Sequence, residues 1–159
     1  MRIIHRRALH DYTILETYET GIHLIGAEVK SIKGGKMSLE GSFVKIIGSE
    51  VYLINAQIFP YQFARPEGYD PKRTRKLLLH KKEIISLKTK IASSNLTIVP
   101  LECYNKKGII KLKIGLAKGK KEYEKREKLK KKYLEREIQR ELRGKRRLRS
   151  MLQYSLADL

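Results

Sequence analysis

The chain contains very little cysteine and no tryptophan: of its 159 residues, one is cysteine and none is tryptophan. A single cysteine excludes a disulfide bond within the chain, and a thiol nucleophile would have no obvious partner. Cys103 lies in the apolar run 96–104, where a free cysteine usually packs as a small hydrophobic side chain. We therefore predict that Cys103 is buried in the core.

Long hydrophobic runs are also absent. No apolar stretch approaches the roughly 18 residues that a membrane-spanning helix needs, and the first residues lack the pattern of a secretory signal peptide. These absences predict a cytoplasmic protein that has no membrane partner. The length of the chain favours one small folded domain with an appendage over two domains.

The patterns that accompany catalysis are missing as well. The four histidines, His5, His10, His23 and His80, have no metal-site spacing with one another or with Cys103. No carboxylate pair, phosphate-binding glycine loop or nucleophile motif stands out. We therefore predict that the chain is not an enzyme and that it uses neither a cofactor nor a metal ion.

Acidic residues are scarce, with 17 against 36 basic ones, which gives a formal net charge of +19 and a pI near 10.1. Such an excess is typical of proteins whose partner is a polyanion, usually the phosphate backbone of a nucleic acid. Residues 118–149 hold 16 of the basic and 6 of the acidic residues, whereas aromatic and β-branched residues dominate before them. The sequence therefore predicts a folded RNA-binding body, residues 1–117, and a basic C-terminal tail, residues 118–159.

The body is predicted to be mainly β with helices. Apolar runs and period-two alternation predict strands at residues 12–18, 43–47, 51–58, 96–104 and 109–117. Apolar residues three and four apart predict a short helix over 22–32, and Asp70-Pro71 predicts the start of a second helix from 72 to 90. Strands with one long excursion are typical of a small barrel, in which closure hides the strand edges. We predict a small closed oligonucleotide-binding-type barrel of five to six strands, with two to three helices and the basic tail.

The tail has the composition of a helix that cannot fold alone. Between Gly119 and Gly144 it is rich in strong helix formers, and Leu134, Ile138 and Leu142 lie four residues apart. One thin apolar stripe and self-repelling positive charge predict a segment that is disordered when free and helical against RNA. The alternative is a permanent helix that is packed on the body.

Four stretches of the chain carry a family pattern in the same order as the family. The longest, GIHLIGAEVKSIKGGK at residues 21–36, is similar to G-I-x-L-x-G-x-E-V-K-S-[LI]-[RK]-x-G-K. The others are DPKRTRKLLL at 70–79, VPL at 99–101 with Tyr104, and AKGKK at 117–121 leading into Lys125-Arg126. The chain thus resembles the tmRNA-binding protein family, also called SsrA-binding protein or small protein B. It departs at His5, where the family usually has Asn, and residues 144–159 extend past the family's typical end.

The resemblance implies a barrel that binds the tRNA-like domain of tmRNA and delivers it to stalled ribosomes for trans-translation, which tags incomplete proteins. It implies that the tail senses the empty mRNA channel and the decoding site. The implied partners are tmRNA, the ribosome and, indirectly through alanyl-tmRNA, elongation factor Tu, and the chain is expected to be a monomer. Composition alone leaves open a ribosomal or general tRNA-like RNA-binding structural protein.

Carried over by position, the resemblance places tmRNA-binding residues at Tyr12, Glu19, Leu78 and His80. Tyr12 could support an RNA base or sugar, or could simply pack in a strand. A carboxylate such as Glu19 repels phosphate but accepts hydrogen bonds from base edges or ribose hydroxyls, and turn capping is the alternative. We expect Leu78 to face the core and to act indirectly. His80 stands where some members have Asn.

Basic residues outside this group are predicted to position RNA through phosphate contacts, which carry no sequence specificity. These candidates are Lys30, Lys33, Lys36, Arg73, Arg75, Lys76, Lys118, Lys120 and Lys121. Lys30 could instead pair with Glu28. The tail residues predicted to contact the ribosome are Tyr123, Lys125, Arg126, Lys130, Lys131, Lys132, Arg136 and Leu142. Tyr123 is implied to stack in the decoding centre.

Overall fold

The computed structural model describes residues 1–64 and 67–157, without the side chains at 122, 123, 128, 141 and 144–157. The chain divides into two compact units, one from Met1 to Gly119 and one from Lys120 onward. The first unit holds the strands, and the second is built on the helix α4 (Glu122–Ala157). The division of the chain into a body and a tail with separate roles stays a prediction.

The first unit contains both strands and helices, so the predicted mixture of β-structure and helices is confirmed. Its strands are β1 (Arg2–Ile4), β2 (Tyr12–Ile22), β3 (Met37–Ser38), β4 (Phe43–Ile47), β5 (Glu50–Ile54), β6 (Gln57–Ile58), β7 (Arg75–Leu78), β8 (Thr97–Lys106) and β9 (Ile109–Gly119). Its helices are α1 (Arg6–Asp11), α2 (Gly26–Lys33) and α3 (Lys81–Ser93).

Seven strands of the described chain form one antiparallel sheet in the order β1-β8-β4-β5-β7-β2-β9. Because β8 also pairs with β9, the six strands other than β1 are joined in a continuous ring of hydrogen-bonded neighbours. The ring has the fewest paired residues at two places. β4 and β8 share the pair Val44↔Ile98, and β2 and β7 share Gly21↔Leu78 and Ile22↔Leu77. β3 and β6 form a separate two-stranded sheet.

The main hydrophobic core is contributed by the strands of the ring together with α2 and α3. Ile32 of α2 and Leu87 of α3 are fully buried with Leu53 and Leu112 of the sheet. Cys103 is also fully buried, which confirms the prediction for it. Burial raises the pKa of the Cys103 thiol to about 12, so the thiol stays protonated and unreactive at neutral pH.

The helix predicted from 72 to 90 is wrong in its first half. Residues Arg75–Leu78 alternate between buried and exposed positions, which is the period of a strand, and they form β7. The helix begins only after His80 and runs from Lys81 to Ser93. Asp70 does not cap it; the Asp70 carboxylate accepts a hydrogen bond at 2.9 Å from the amide two residues further on.

Three smaller features also differ from the sequence-based expectation. The helix predicted over 22–32 begins at Gly26, because β2 continues as far as Ile22. The strand predicted over 51–58 is two strands, β5 and β6, since Asn55 between them adopts a positive φ of 60°. β1 and α1 were not predicted, because elements of three and six residues are too short for periodicity to indicate them.

In the second unit, the apolar side chains that the structure describes lie on the surface. Leu134, Ile138 and Leu142 of α4 are 57%, 49% and 53% exposed. The disorder of this segment in the free protein stays a prediction. In the part of the chain that is described, no helix is long and apolar enough to cross a membrane.

Candidate nucleic-acid interface

Leu78, at the end of β7, lies on the surface. It is 55% exposed, whereas Leu77 is 2% exposed. The expectation that Leu78 faces the core is therefore wrong, because the alternation of β7 gives that position to Leu77. Leu78 pairs with Gly21 of β2, and a Cβ added to Gly21 would lie 3.3 Å from Leu78 Cδ1. The absence of a side chain at Gly21 thus leaves room for the exposed leucine.

Leu78 borders a groove of about 520 Å³ beside α3. Its lining includes the exposed Ile85 and the lysines Lys76, Lys81 and Lys88. An apolar floor offers contact area to a base or ribose, and the lysines offer counter-charge to phosphates. Ile84 and Leu87 of α3 are buried and lie three residues apart on one face of the helix. Ile85 lies off that face, which explains its exposure.

His80 stands at the N-terminus of α3, directly after β7. Its backbone N–H donates to Oε2 of Glu83 at 2.9 Å, and its side chain is exposed. The Thr20 hydroxyl of β2 donates to the Leu78 carbonyl at 2.9 Å. The structure therefore places Leu78 and His80 close together beside the end of β2, where hydrogen bonds hold their backbone. We call the surface formed by these two residues the corner.

Glu19 lies within β2, opposite Lys113 of β9, and not in a turn. Its carboxylate accepts hydrogen bonds from the Tyr104 hydroxyl and, at 3.0 Å, from Lys106 Nζ, both on β8. The bond from Tyr104, followed by that from Lys106, holds the pKa of Glu19 below its ordinary range. The same bond raises the pKa of Tyr104 to about 12. Glu19 is therefore an exposed, ionised acceptor on the sheet surface, and the turn-capping alternative does not apply.

Two other carboxylates of the body have the same surroundings as Glu19. They are Glu16, held by Lys90 and Tyr18, and Glu50, held by Lys76 and Tyr52. Ion pairs between exposed side chains contribute about 0–1 kcal/mol to stability. The predicted phosphate contact Lys76 can therefore exchange Glu50 for an RNA phosphate at little cost.

Tyr12 begins β2 and is half-buried. It packs against the small core cluster of Ala8, Val99, Leu101 and Ala117. It also lines a cavity of about 390 Å³ with Arg7 and Phe43. The pair Thr13↔Lys118 places the predicted phosphate contact Lys118 one position away on β9. Tyr12 therefore packs in the strand and still borders open surface.

Arg75 is fully buried, and its guanidinium donates only to protein acceptors. Nε donates to Glu28 Oε1 at 2.9 Å. The two Nη atoms donate to the carbonyls of Ala56 at 2.7 Å, Arg73 at 2.9 Å and Pro71 at 3.0 Å. Arg75 has no exposed surface with which to reach a phosphate, so the contact predicted for it is wrong and its role is structural.

Glu28, itself fully buried, is shared between Arg75 and Arg73. Arg73 donates to it from Nε at 2.9 Å and from Nη2 at 2.5 Å, and 29% of the Arg73 side chain remains exposed. Lys30 therefore does not pair with Glu28. Its Nζ instead lies 5.5 Å from the centroid of the Tyr61 ring.

The remaining predicted contacts are mostly on the surface. Lys30, Lys33, Lys36, Lys118 and Lys121 are exposed, and Lys120 is half-buried. On α4, Lys125 is half-buried, and the exposed residues are Arg126, Lys130, Lys131, Lys132, Arg136 and Leu142. The side chain of Tyr123 lies outside the described part of the chain. Among the residues described, no group of three or more His, Cys, Asp or Glu side chains could hold a metal ion.

A basic surface that carries an exposed leucine and an ionised carboxylate acceptor suits RNA, and comparison with known proteins decides which kind. The family model described as "SmpB protein" matches residues 3–144. The chain belongs to the SmpB family. Its membership confirms the resemblance carried by the four stretches. SmpB proteins are non-enzymatic RNA-binding proteins, so the prediction that the chain is not an enzyme is confirmed by its family.

Individual SmpB relatives are similar over most of their length. The SsrA-binding protein of Sulfurihydrogenibium sp. (strain YO3AOP1) is 52% identical over 143 residues, which cover 90% of this chain and 94% of that protein. The SsrA-binding protein of Enterococcus faecalis (strain ATCC 700802 / V583) is 48% identical over 142 residues, covering 89% and 92%. A solved structure described as "tmRNA-SmpB: a journey to the center of the bacterial ribosome" is 49% identical, covers 76% of this chain and 85% of that chain, and superposes with a TM-score of 0.63.

Proposed function

We propose that the body binds the tRNA-like domain of tmRNA and delivers it to stalled ribosomes, where incomplete proteins are tagged. As an SmpB family member, the chain is a partner of tmRNA in trans-translation on the ribosome. The observation that carries the finer proposal is the exposed corner of Leu78 and His80. Leu78 is 55% exposed, so it contributes little to the core. Its position beside lysines suits an RNA partner, because the leucine can contact an apolar base face and the lysines can contact phosphates.

The proposed RNA surface divides its work between base and phosphate contacts. Tyr12, Leu78 and His80 contact bases or sugars, and the ionised Glu19 accepts hydrogen bonds from amino groups or ribose hydroxyls. Phosphates are contacted by Lys30, Lys33, Lys36, Arg73, Lys76, Lys118, Lys120 and Lys121. Because phosphate contacts carry no sequence information, recognition of the tRNA-like shape depends on the first group.

We also propose that the ring of six strands wraps into a small closed barrel of the oligonucleotide-binding type. The antiparallel pairing of every neighbour in the ring supports closure. The helix α3, inserted between the ring strands β7 and β8, supports this type of barrel. Closure leaves most backbone groups of the ring paired and so directs RNA toward side chains.

In this proposal the tail, residues 118–159, is disordered when free and becomes helical on the ribosome. It senses the empty mRNA channel and the decoding site, with contacts by Tyr123, Lys125, Arg126, Lys130, Lys131, Lys132, Arg136 and Leu142. The exposed stripe on α4 supports docking, because an isolated helix with one apolar stripe gains stability only when a partner covers it. The protein works in the cytoplasm as a monomer, and elongation factor Tu is reached indirectly through alanyl-tmRNA.

Replacing Leu78 with alanine should weaken binding of the tRNA-like domain roughly tenfold, or about 1.4 kcal/mol, because an apolar contact with RNA is lost. The free energy of unfolding should change by less than about 1 kcal/mol, since the side chain is exposed. Filter binding and urea titration measure the two quantities.

The matched control is Leu77→Ala on the same strand. Leu77 is 2% exposed, so its truncation should cost about 2–5 kcal/mol of stability. Unchanged RNA affinity in the stable Leu78→Ala variant would remove this corner from the interface.

A further inference from the structure

Two aromatic side chains, Tyr61 and Phe63, lie on the surface of the loop between β6 and β7. This loop precedes Leu78 and His80 in the sequence. Phe63 is 78% exposed, and its ring lies 5.5 Å from that of Tyr61 at an interplanar angle of 67°. The Tyr61 ring also contacts Lys30, whose Nζ lies 5.5 Å from the ring centroid. Phe63 therefore contributes little to the core, and its ring is accessible to a binding partner.

The base of this aromatic loop is firmly fixed. The buried Arg75 donates hydrogen bonds to the carbonyl of Ala56, before the loop, and to that of Pro71, near its end. The Tyr69 hydroxyl donates to the Ile58 carbonyl at 2.9 Å, and the Ile58 amide donates to the Pro71 carbonyl at 3.0 Å. Hydrogen bonds therefore fix both ends of the loop that carries the two rings.

Helix α2 is tied to the same base, which brings a cation next to the rings. The buried Glu28 of α2 binds Arg73 and Arg75 at the end of the loop, and the Ser31 hydroxyl of α2 donates to the Phe59 carbonyl. Between α2 and the loop tip lies a cavity of about 520 Å³, lined by Gly26, Ala27, Lys30, Tyr61, Phe63 and Ala64. This volume falls within the range of about 300–1,000 Å³ that is typical of small-ligand sites. Lys30 is the one charged residue in this described lining.

We propose that Phe63, Tyr61 and Lys30 form a stacking site for one unpaired nucleobase of an RNA bound by this protein. A base stacks on the exposed Phe63 ring, and Lys30 contacts the phosphate beside it. The cationic lining favours a nucleotide over an uncharged apolar ligand, and α2 adds the exposed Lys33 nearby in sequence. The inference rests on the RNA-binding function proposed above and adds a base site outside the Tyr12, Glu19, Leu78 and His80 surface.

The absence of tryptophan from the sequence allows a direct test. In the full-length Phe63→Trp variant the new residue is the sole tryptophan, and a base that stacks on it quenches its fluorescence. We expect quenching by single-stranded oligoadenylate of about ten nucleotides and none by a blunt duplex RNA of equal charge. The control is Ile109→Trp, a site that is 61% exposed in the wild-type chain, and oligoadenylate should leave its fluorescence unchanged.

Substitutions at Phe63 separate an aromatic contact from an apolar one. Phe63→Leu should weaken oligoadenylate binding about fivefold, the low end of the loss expected for one stacked base, and Phe63→Tyr should retain it. Equal quenching of Phe63→Trp by duplex and single-stranded RNA, or equal affinities of the Leu and Tyr variants, would overturn the stacking site. Quenching by a proline-rich peptide without quenching by oligoadenylate would also overturn it.

The same protein distinguishes failure of this site from failure of the proposed function. If the Phe63→Trp variant binds the tRNA-like domain in a filter assay but no unpaired RNA quenches it, the stacking site is wrong and the proposed function stands. If the variant and the wild-type chain both fail to bind the tRNA-like domain, the proposed function is wrong.

Discussion

Replacing Arg75 with methionine should lower the free energy of unfolding by about 3–5 kcal/mol, the usual cost of breaking a buried ion pair by removing one partner. Glu28 would stay fully buried with Arg73 as its remaining guanidinium. The Ala56 carbonyl would lose the hydrogen bond from Arg75, and the Pro71 carbonyl would keep only the one from the Ile58 amide. Urea or thermal unfolding of the full-length chain measures the loss.

The matched control is Lys76→Met, one position along β7. Lys76 is exposed and pairs with the exposed Glu50, so its removal should cost less than about 1 kcal/mol. Equal losses for the two variants would show that burial of the Arg75 pair does not matter, which contradicts the structural role assigned to it.

The same cluster should make stability depend on acid. Burial raises the pKa of Glu28, but hydrogen bonds from Arg73, the Ile25 amide and Arg75 together outweigh it and leave the pKa below the ordinary value of 4.5. A carboxyl group whose pKa is lower in the folded state stabilises the fold above its unfolded-state pKa. This contribution should disappear as the pH falls below 4.5 and through the folded-state pKa, and it should be missing from a Glu28→Gln variant.

Deleting residues 122–159 should reduce tagging on stalled ribosomes by about a hundredfold or more. The body, which binds tmRNA, and the tail, which binds the ribosome, act as two linked modules, and the deletion removes one of them. The affinity for the isolated tRNA-like domain should fall by less than about threefold, or 0.7 kcal/mol, because the proposed surface for that domain lies in the body. An in vitro translation assay on a truncated message and a binding titration measure the two effects.

The control for the deletion is a tail of the same composition in shuffled order. It keeps the positive charge but loses the four-residue spacing of Leu134, Ile138 and Leu142. Near-normal tagging by this variant would reduce the role of the tail to charge alone. A large loss of affinity for the tRNA-like domain on deletion would contradict the division between body and tail.

The fold could be predicted where side-chain periodicity was strong and failed where tertiary contacts decided. The apolar run at 43–47 and the alternating residues at 109–117 match β4 and β9 closely. The stretch around Arg75–Leu78 was assigned to a helix because Asp70-Pro71 offered a helix start. Two charged residues followed by two leucines obscure the alternation of a strand there. Arg75 occupies a core position because the buried Glu28 and three carbonyls accept hydrogen bonds from it. A partner 47 residues away leaves no local pattern.

The candidate interface shows the same limit. The resemblance placed Leu78 and His80 among the tmRNA-binding residues, and the structure brings them to one corner. Composition could not separate the structural Arg75 from surface cations such as Lys76, because a count of charges carries no information on burial. The sequence of the loop between β6 and β7 has no periodicity that would indicate its contacts. The contacts of Phe63 and Tyr61 depend on a base that is fixed from beneath by residues distant in sequence.

Sequencing the RNA that is crosslinked to the full-length chain in its own cells tests the central claim most directly. We expect tmRNA as the one abundant RNA, with crosslinks concentrated in its tRNA-like domain. Without crosslinking, the bound RNA should be released by salt, because phosphate contacts displace counterions and about six of them cost roughly a thousandfold in affinity between 50 and 200 mM. Stoichiometric recovery with ribosomal subunits that lack tmRNA would contradict the account and identify the chain as a structural component of the ribosome.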